Sequence, residues 1–258
     1  MKEFMTKKII MITGATSGIG EACAEKFAEN NWNIIITGRR KERLEELVNK
    51  LKQKYNTEIK SLNFDIRKLS EVEKAFSSLD NNWKNIDVLI NNAGLVKGLD
   101  PIDKGIVDDW ETMIDTNVKG LLYISKQVIP NMISRESGHI INMGSIAGKE
   151  TYANGNVYCA TKSAVDSLTK AMRIDLLKYN IKVTEISPGA VETEFSIVRF
   201  KGDKQAADNV YRGFKPLQAS DVAGIIHYIT TLPDHVNIND IVIMPTAQAN
   251  TVHTNKLF

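Results

Sequence analysis

The chain of 258 residues is long enough for one large α/β domain or two small ones, and long enough to bury a sizeable core. Its 43% hydrophobic and 25% charged residues belong to an ordinary globular protein, not to a disordered or membrane-embedded one. A net charge of +2 without a long block of one sign offers nucleic acid no electrostatic footprint, and the isolated Cys23 and Cys159 supply neither a disulfide framework nor a structural zinc site.

At the N-terminus, MKEFMTKKIIMIT holds an apolar run that breaks at Thr13 and Gly14. It is too short for a signal-peptide core with its cleavage site, and no run approaches the ~18 apolar residues of a membrane span. The expected setting is the cytoplasm, with no membrane partner. The run KIIMI (8–12) reads as a first strand, and TGATSGIG (13–20) follows it directly and opens a helical pattern, EACAEKFAENN. In that context Gly14, Gly18 and Gly20 let backbone N–H groups and a helix N-terminus cradle a pyrophosphate, with Thr16, Ser17 and Ile19 as further candidate contacts. The spacing GxxxGxG differs from the usual GxGxxG fingerprint. A flexible turn is the alternative for the loop taken alone.

The second strand, NIIIT (33–37), ends in TGRR. A fold selecting NAD usually places an acid there for the ribose 2′-OH, whereas Arg39 and Arg40 can pair with a 2′-phosphate, so the expected cofactor is NADP(H). The third strand, IKSLNF (59–64), leads to Asp65, a candidate acceptor for the adenine amino group. The fourth, DVLI (87–90), ends in NNAG, where Ala93 and Gly94 permit close backbone approach to a ligand and Asn91 can fasten the neighbouring loop. Residues 95–108 have no clean period. The helical stretch 107–133 then carries Asn117, intrinsically unfavourable inside a helix. It is either the holder of a water that connects Lys162 to solvent or an exposed amide.

After the fifth strand, HIINM (139–143), Ser145 lies at the carboxyl edge of the sheet as a substrate-oxygen ligand or as a helix N-cap. Thirteen positions on, YCATK sets Tyr158 and Lys162 one helical turn apart, above a stripe of Val165, Leu168, Met172 and Leu176 that turns the pair inward. Lowering a tyrosine pKa of ~10 by three units requires roughly 4 kcal/mol of preference for the tyrosinate. A nearby ammonium can supply much of it. The strand KVTEIS (182–187) and the aperiodic segment 189–219 follow, the latter a candidate lid over a site or else a surface excursion. DIVIMP (240–245) closes the series. Helical stripes such as Leu44, Leu47, Val48 and Leu51, or Val222, Ile225, Ile226 and Ile229, lie between the strands. Near-continuous apolar strands alternating with helices, without a linker, predict a single α/β domain over 1–258. Its core is a Rossmann-type, doubly wound parallel sheet of about seven strands with helices on both faces.

TGATSGIG, NNAG, the Asn117 of DTNVKG, the Ser145 of MGS, the YCATK pair and the SPG turn together resemble the short-chain dehydrogenase/reductase family, in order and over nearly the whole chain. The resemblance implies that Tyr158 is the acid/base, that Lys162 lowers its pKa and binds the nicotinamide ribose, and that Ser145 orients the carbonyl. Asn117 would support the proton-relay water. It also places Pro188, Gly189 and Val191 by the nicotinamide, with Thr193 on its carboxamide, and implies a homotetramer packed partly through the helix 107–133 and the Tyr158 helix. DDWETMIDTN (108–117), TEFSIVRFKGD (193–203) and LPDHVNINDIVIMPTAQ (232–248) resemble a narrower branch, the NADP-dependent 3-hydroxy acid dehydrogenases and the related sulfoacetaldehyde reductases. A small anionic substrate needs a cationic anchor; Arg199 is the first candidate and Lys201 the second, a surface or subunit-contact role for Arg199 being the alternative. A non-catalytic NADP(H) sensor is the rival from another class, and no metal is expected.

Overall fold

In a computed structural model that describes residues 7–257, the chain alternates strands and helices from end to end. Residues 1–6, the start of the N-terminal stretch, lie outside the described residues. The first half runs β1 (Ile9–Ile12), α1 (Gly18–Glu29), β2 (Asn33–Gly38), α2 (Lys41–Lys54), β3 (Ile59–Asn63), α3 (Leu69–Ser77) and β4 (Val88–Asn91). Next come α4 (Val107–Ile114), a π turn (Asp115–Lys119), α5 (Gly120–Arg135), β5 (Gly138–Met143), α6 (Ile146–Lys149) and α7 (Asn156–Leu176). The chain then forms β6 (Ile181–Pro188), β7 (Val191–Glu192), α8 (Phe195–Arg199), α9 (Lys204–Tyr211), β8 (Leu217–Gln218), α10 (Ala219–Thr230) and β9 (Asp240–Ile243).

Seven strands make one sheet in the order β3-β2-β1-β4-β5-β6-β9, and every pairing in it is parallel. The apolar strands alternate between two cores. Ile10, Ile12, Ile34 and Ile36 face the side covered by Phe27 of α1, Leu44 of α2 and Ile226 of α10. Ile9, Met11 and Ile35 face Val72 of α3, Ile124 and Val128 of α5 and Leu176 of α7. The inner strands β1, β2 and β4 are therefore buried on both faces, while the edge strands β3 and β9 keep exposed positions. The chain moves outward from β1 through β2 to β3, then restarts on the other side at β4. That reversal opens a crevice between β1 and β4 at the carboxyl ends of the strands.

Two segments depart from the sequence expectation. The stretch 107–133 is not one regular helix: a π turn at Asp115–Lys119 separates α4 from α5 and carries Asn117. The aperiodic segment 189–219 contains α8 and α9, framed by a small parallel ribbon in which Val191 pairs with Leu217 and Glu192 with Gln218. Five- and eight-residue helices are too short to repeat an apolar period.

Candidate active site

A cleft of about 360 Å³ occupies the crevice. The first two strand-to-helix turns contribute Gly14, Thr16, Ser17, Gly18, Ile19, Arg39 and Arg40 to its wall. Across it stand Ala93 and Gly94 after β4, Ser145 after β5, Tyr158 and Lys162 on α7, and Pro188, Gly189, Val191 and Thr193 after β6. Gly20, Asp65, Asn91, Asn117 and Arg199 lie outside that wall, each with contacts of its own.

The glycine loop is held by close packing. Gly14 and Gly18 adopt φ values of +67° and +57°, a region that side chains rarely tolerate. A Cβ on Gly14 would come within 2.9 Å of Ala93 Cα, and one on Gly20 within 2.4 Å of the Gly14 carbonyl oxygen. Asn92, which sequence reasoning passed over for Asn91, fastens the loop: its Nδ2 donates to the carbonyls of Thr13 (2.9 Å) and Gly14 (3.1 Å). Thr13 Oγ1 in turn accepts from the backbone N–H groups of Asn92 and Ala93, both at 3.0 Å. Asn91 itself is buried behind the site, donating to Ser125 Oγ and Asn142 Oδ1. The carboxylate of Asp65 is taken up by Arg67, which grips both of its oxygens.

These features fit a dinucleotide. The glycine loop leads directly into the N-terminus of α1, where free N–H groups favour a pyrophosphate. Arg39 is exposed at one end of the cleft, and Arg40 bends across the loop, donating from Nε and Nη2 to Thr16 Oγ1 and from Nη2 to Ser17 Oγ.

At the other end lies the polar set that chemistry requires. Tyr158 and Lys162 are both buried, 6% exposed, on the face of α7 that meets the sheet. Lys162 Nζ donates to the Met143 carbonyl at 2.7 Å and lies close to Gly94. Burial lowers its pKa to about 8, against an opposing pull from the Glu185 carboxylate. Burial pushes the Tyr158 phenol upward, while Ser145 and then Arg199 draw it back down. Ser145 caps α6, its Oγ accepting from Ala147 N–H at 3.1 Å, so the cap and the cleft-facing hydroxyl are one residue. Asn117 is 2% exposed, which removes the exposed-amide alternative. Its Nδ2 donates to Leu95 O (2.8 Å) and Thr161 Oγ1 (3.0 Å), and its Oδ1 accepts from Leu95 N–H (2.8 Å). It thus clamps the loop after β4 to α7.

Arg199 reaches the site from α8. Its guanidinium lies 5.7 Å from the ring centroids of both Tyr158 and Phe195, and 5.8 Å from that of Tyr152. Nη2 donates to Tyr152 Oη at 2.7 Å, and the buried Nε has no partner. Lys201, the second candidate anchor, is committed to Asp109 at 2.7 Å. Tyr152 and Phe195 were not legible as site residues, because one sits in a loop and the other opens a five-residue helix. Elsewhere Asp166, Glu185 and Asp240 converge, and Lys149 Nζ already lies among them as their counter-ion.

Residues 8–204 match the family model described as short chain dehydrogenase. The chain is 46% identical over 242 residues to the NADP-dependent 3-hydroxy acid dehydrogenase YdfG of Salmonella typhi, covering 93% of this chain and 96% of that protein. It is 44% identical over 242 residues to sulfoacetaldehyde reductase 2 of Chromohalobacter salexigens, covering 93% and 95%. Among solved structures, the closed form of serine dehydrogenase complexed with NADP+ superposes with a TM-score of 0.89 at 47% identity, over 93% of this chain and 96% of that one.

Proposed function

The chain belongs to the short-chain dehydrogenase family, and from that premise we propose that it interconverts a small anionic 3-hydroxy compound and its aldehyde or semialdehyde, with Tyr158 as the acid/base. It is an NADP(H)-dependent oxidoreductase acting on CH–OH groups. The observation that carries the substrate class is Arg199: a guanidinium with an unpartnered buried Nε stands beside the Tyr158 ring. Such a donor suits a carboxylate or sulfonate one or two bonds beyond the reacting carbon.

When bound, NADP(H) would supply the hydride chemistry. The protein holds the other reactants in place. Thr16, Ser17, Gly18 and Ile19 bind the pyrophosphate, and Arg39 and Arg40 take the 2′-phosphate. Pro188, Gly189, Val191 and Thr193 border the nicotinamide. Ser145 Oγ donates to the substrate oxygen, and Tyr158 Oη moves the proton at that same oxygen. With burial favouring the neutral phenol, Tyr158 stands ready as proton donor, the role that aldehyde reduction requires. Lys162 organises the site through Met143 and, in its protonated form, favours the tyrosinate needed for oxidation. A water near Asn117 links Lys162 to solvent, and the segment 189–219 closes over the substrate and excludes bulk water.

Replacing Tyr158 by Phe removes the one hydroxyl that moves the proton. Turnover should fall by about 10²–10⁴-fold while NADPH binding, followed by quenching of protein fluorescence, stays within about twofold. Retained turnover would refute the assignment. The relative named sulfoacetaldehyde reductase favours a second reading, in which the anion is a sulfonate held by the same Arg199. A reducing, cytoplasmic setting is supported by two cysteines that are free and buried, and among the described residues no helix is long and apolar enough to cross a membrane. The apolar side chains of Ile114, Leu122, Ile174 and Leu177, exposed on α4, α5, α7 and the turn after it, support a homotetramer, which sedimentation equilibrium checks.

A further inference from the structure

Arg40 and Arg43 both point their guanidiniums at one carboxylate. Arg40 Nη1 donates to Glu194 Oε2 at 2.8 Å, and Arg43 Nη1 donates to Glu194 Oε1 at 2.5 Å. All three side chains are partly exposed, between 38% and 45%. Arg40 has little donor capacity left, because its Nε and Nη2 are already engaged by Thr16 and Ser17. A phosphate approaching these arginines meets a negative charge in its place, and the two anions cannot share the same N–H groups.

Glu194 also has a special position in the chain. It follows Thr193 and is the N-cap residue of α8, the helix that carries Phe195 and Arg199 to the Tyr158 ring. Its carboxylate therefore ties the entrance of the substrate lid to the glycine loop and to α2. Partial burial works against its ionisation, but the two guanidiniums hold it below the usual carboxylate range.

We propose that Glu194 is a cofactor-discriminating residue, an internal anion that the 2′-phosphate of NADP(H) displaces from Arg40 and Arg43. The inference rests on the placement of the 2′-phosphate beside Arg40 under the proposed function, and it adds Arg43 to that seat. A dinucleotide without the phosphate leaves the Glu194 contact intact, so only the phosphorylated cofactor unties the lid from the glycine loop. Glu194 thus lowers the affinity for NADP(H) while making lid release specific to it.

The test is equilibrium binding of 2′,5′-ADP and of 5′-AMP, which differ only in that phosphate, measured by calorimetry on the full chain. Glu194→Gln keeps size and hydrogen bonding but removes the charge. It should bind 2′,5′-ADP about three- to tenfold more tightly than the parent, as for one exposed ion-pair network removed, and bind 5′-AMP within about twofold. Unchanged or weaker binding of 2′,5′-ADP by Glu194→Gln would overturn the proposal, since the carboxylate would then be ordering the arginines and not competing for them. The double variant Arg40→Gln, Arg43→Gln separates the two levels. It should lose at least about tenfold for 2′,5′-ADP, and retention of full affinity would overturn the placement of the phosphate itself together with the role of Glu194.

Discussion

Replacing Arg199 by Met keeps a long flexible side chain among Tyr152, Tyr158 and Phe195 but removes the charge and the donors. With Arg199 as the anion anchor, kcat/KM of this variant for an anionic aldehyde should fall by about 10- to 100-fold, the worth of one charge-assisted contact, while a neutral aldehyde changes little. Steady-state NADPH oxidation with both substrates reads this directly, and an equal loss on both would reassign Arg199 to packing. At this scale the sequence was informative where chemistry dictates residue type and spacing. A tyrosine and a lysine one turn apart are, taken alone, an ordinary solvated helix pair; they became informative beside Asn117 and Ser145, the latter placed by the end of β5. Asn92 and Tyr152 were not legible, because what they touch is a backbone carbonyl 78 residues away and a guanidinium 47 residues away. Asp65 illustrates a partner the sequence did not show: its position after β3 suggested adenine, and its carboxylate also pairs with Arg67, two residues on.

The elements that build the site are joined by a few buried polar contacts. Asn92 is the hinge pin between the end of β4 and the glycine loop, and Asn92→Ala leaves the carbonyls of Thr13 and Gly14 without that donor. The expected cost is about 1–3 kcal/mol of stability, read as a lower midpoint in urea unfolding, together with weaker NADP(H) binding. An unchanged midpoint and unchanged binding would mean that glycine packing alone fixes the loop. Strands and long helices were readable from their periods, since a strand buried on both faces is continuously apolar and α2 or α10 repeats its stripe. The π turn was not: its residues, Asp115–Lys119, keep helical composition, and only the inward amide of Asn117 marks the place. The α8–α9 segment was legible as a break in rhythm but not as two short helices tied by Gly98 N–H to the Arg199 carbonyl.

Across the whole molecule, strand order decides where the chemistry sits. Seven parallel strands end at one edge, and the reversal between β1 and β4 leaves there the cleft proposed for the cofactor. The alternation of strands and helices made that architecture readable from sequence, while the pairing of β7 with β8 depends on contacts between residues about 26 positions apart and left no local trace. Both aperiodic segments follow strands at the carboxyl edge, and Gly98 N–H donates to the Arg199 carbonyl to join them. In the proposed function these segments, which the sheet does not specify, cover the substrate, and its charge is the central claim to test. The direct measurement is kcat/KM for NADPH oxidation by the full chain with malonic semialdehyde, sulfoacetaldehyde and propanal. An anion-binding Arg199 predicts that at least one of the two anionic aldehydes exceeds propanal by about 10-fold or more, the worth of a charge-assisted contact. Turnover of propanal equal to or better than both anions would contradict it.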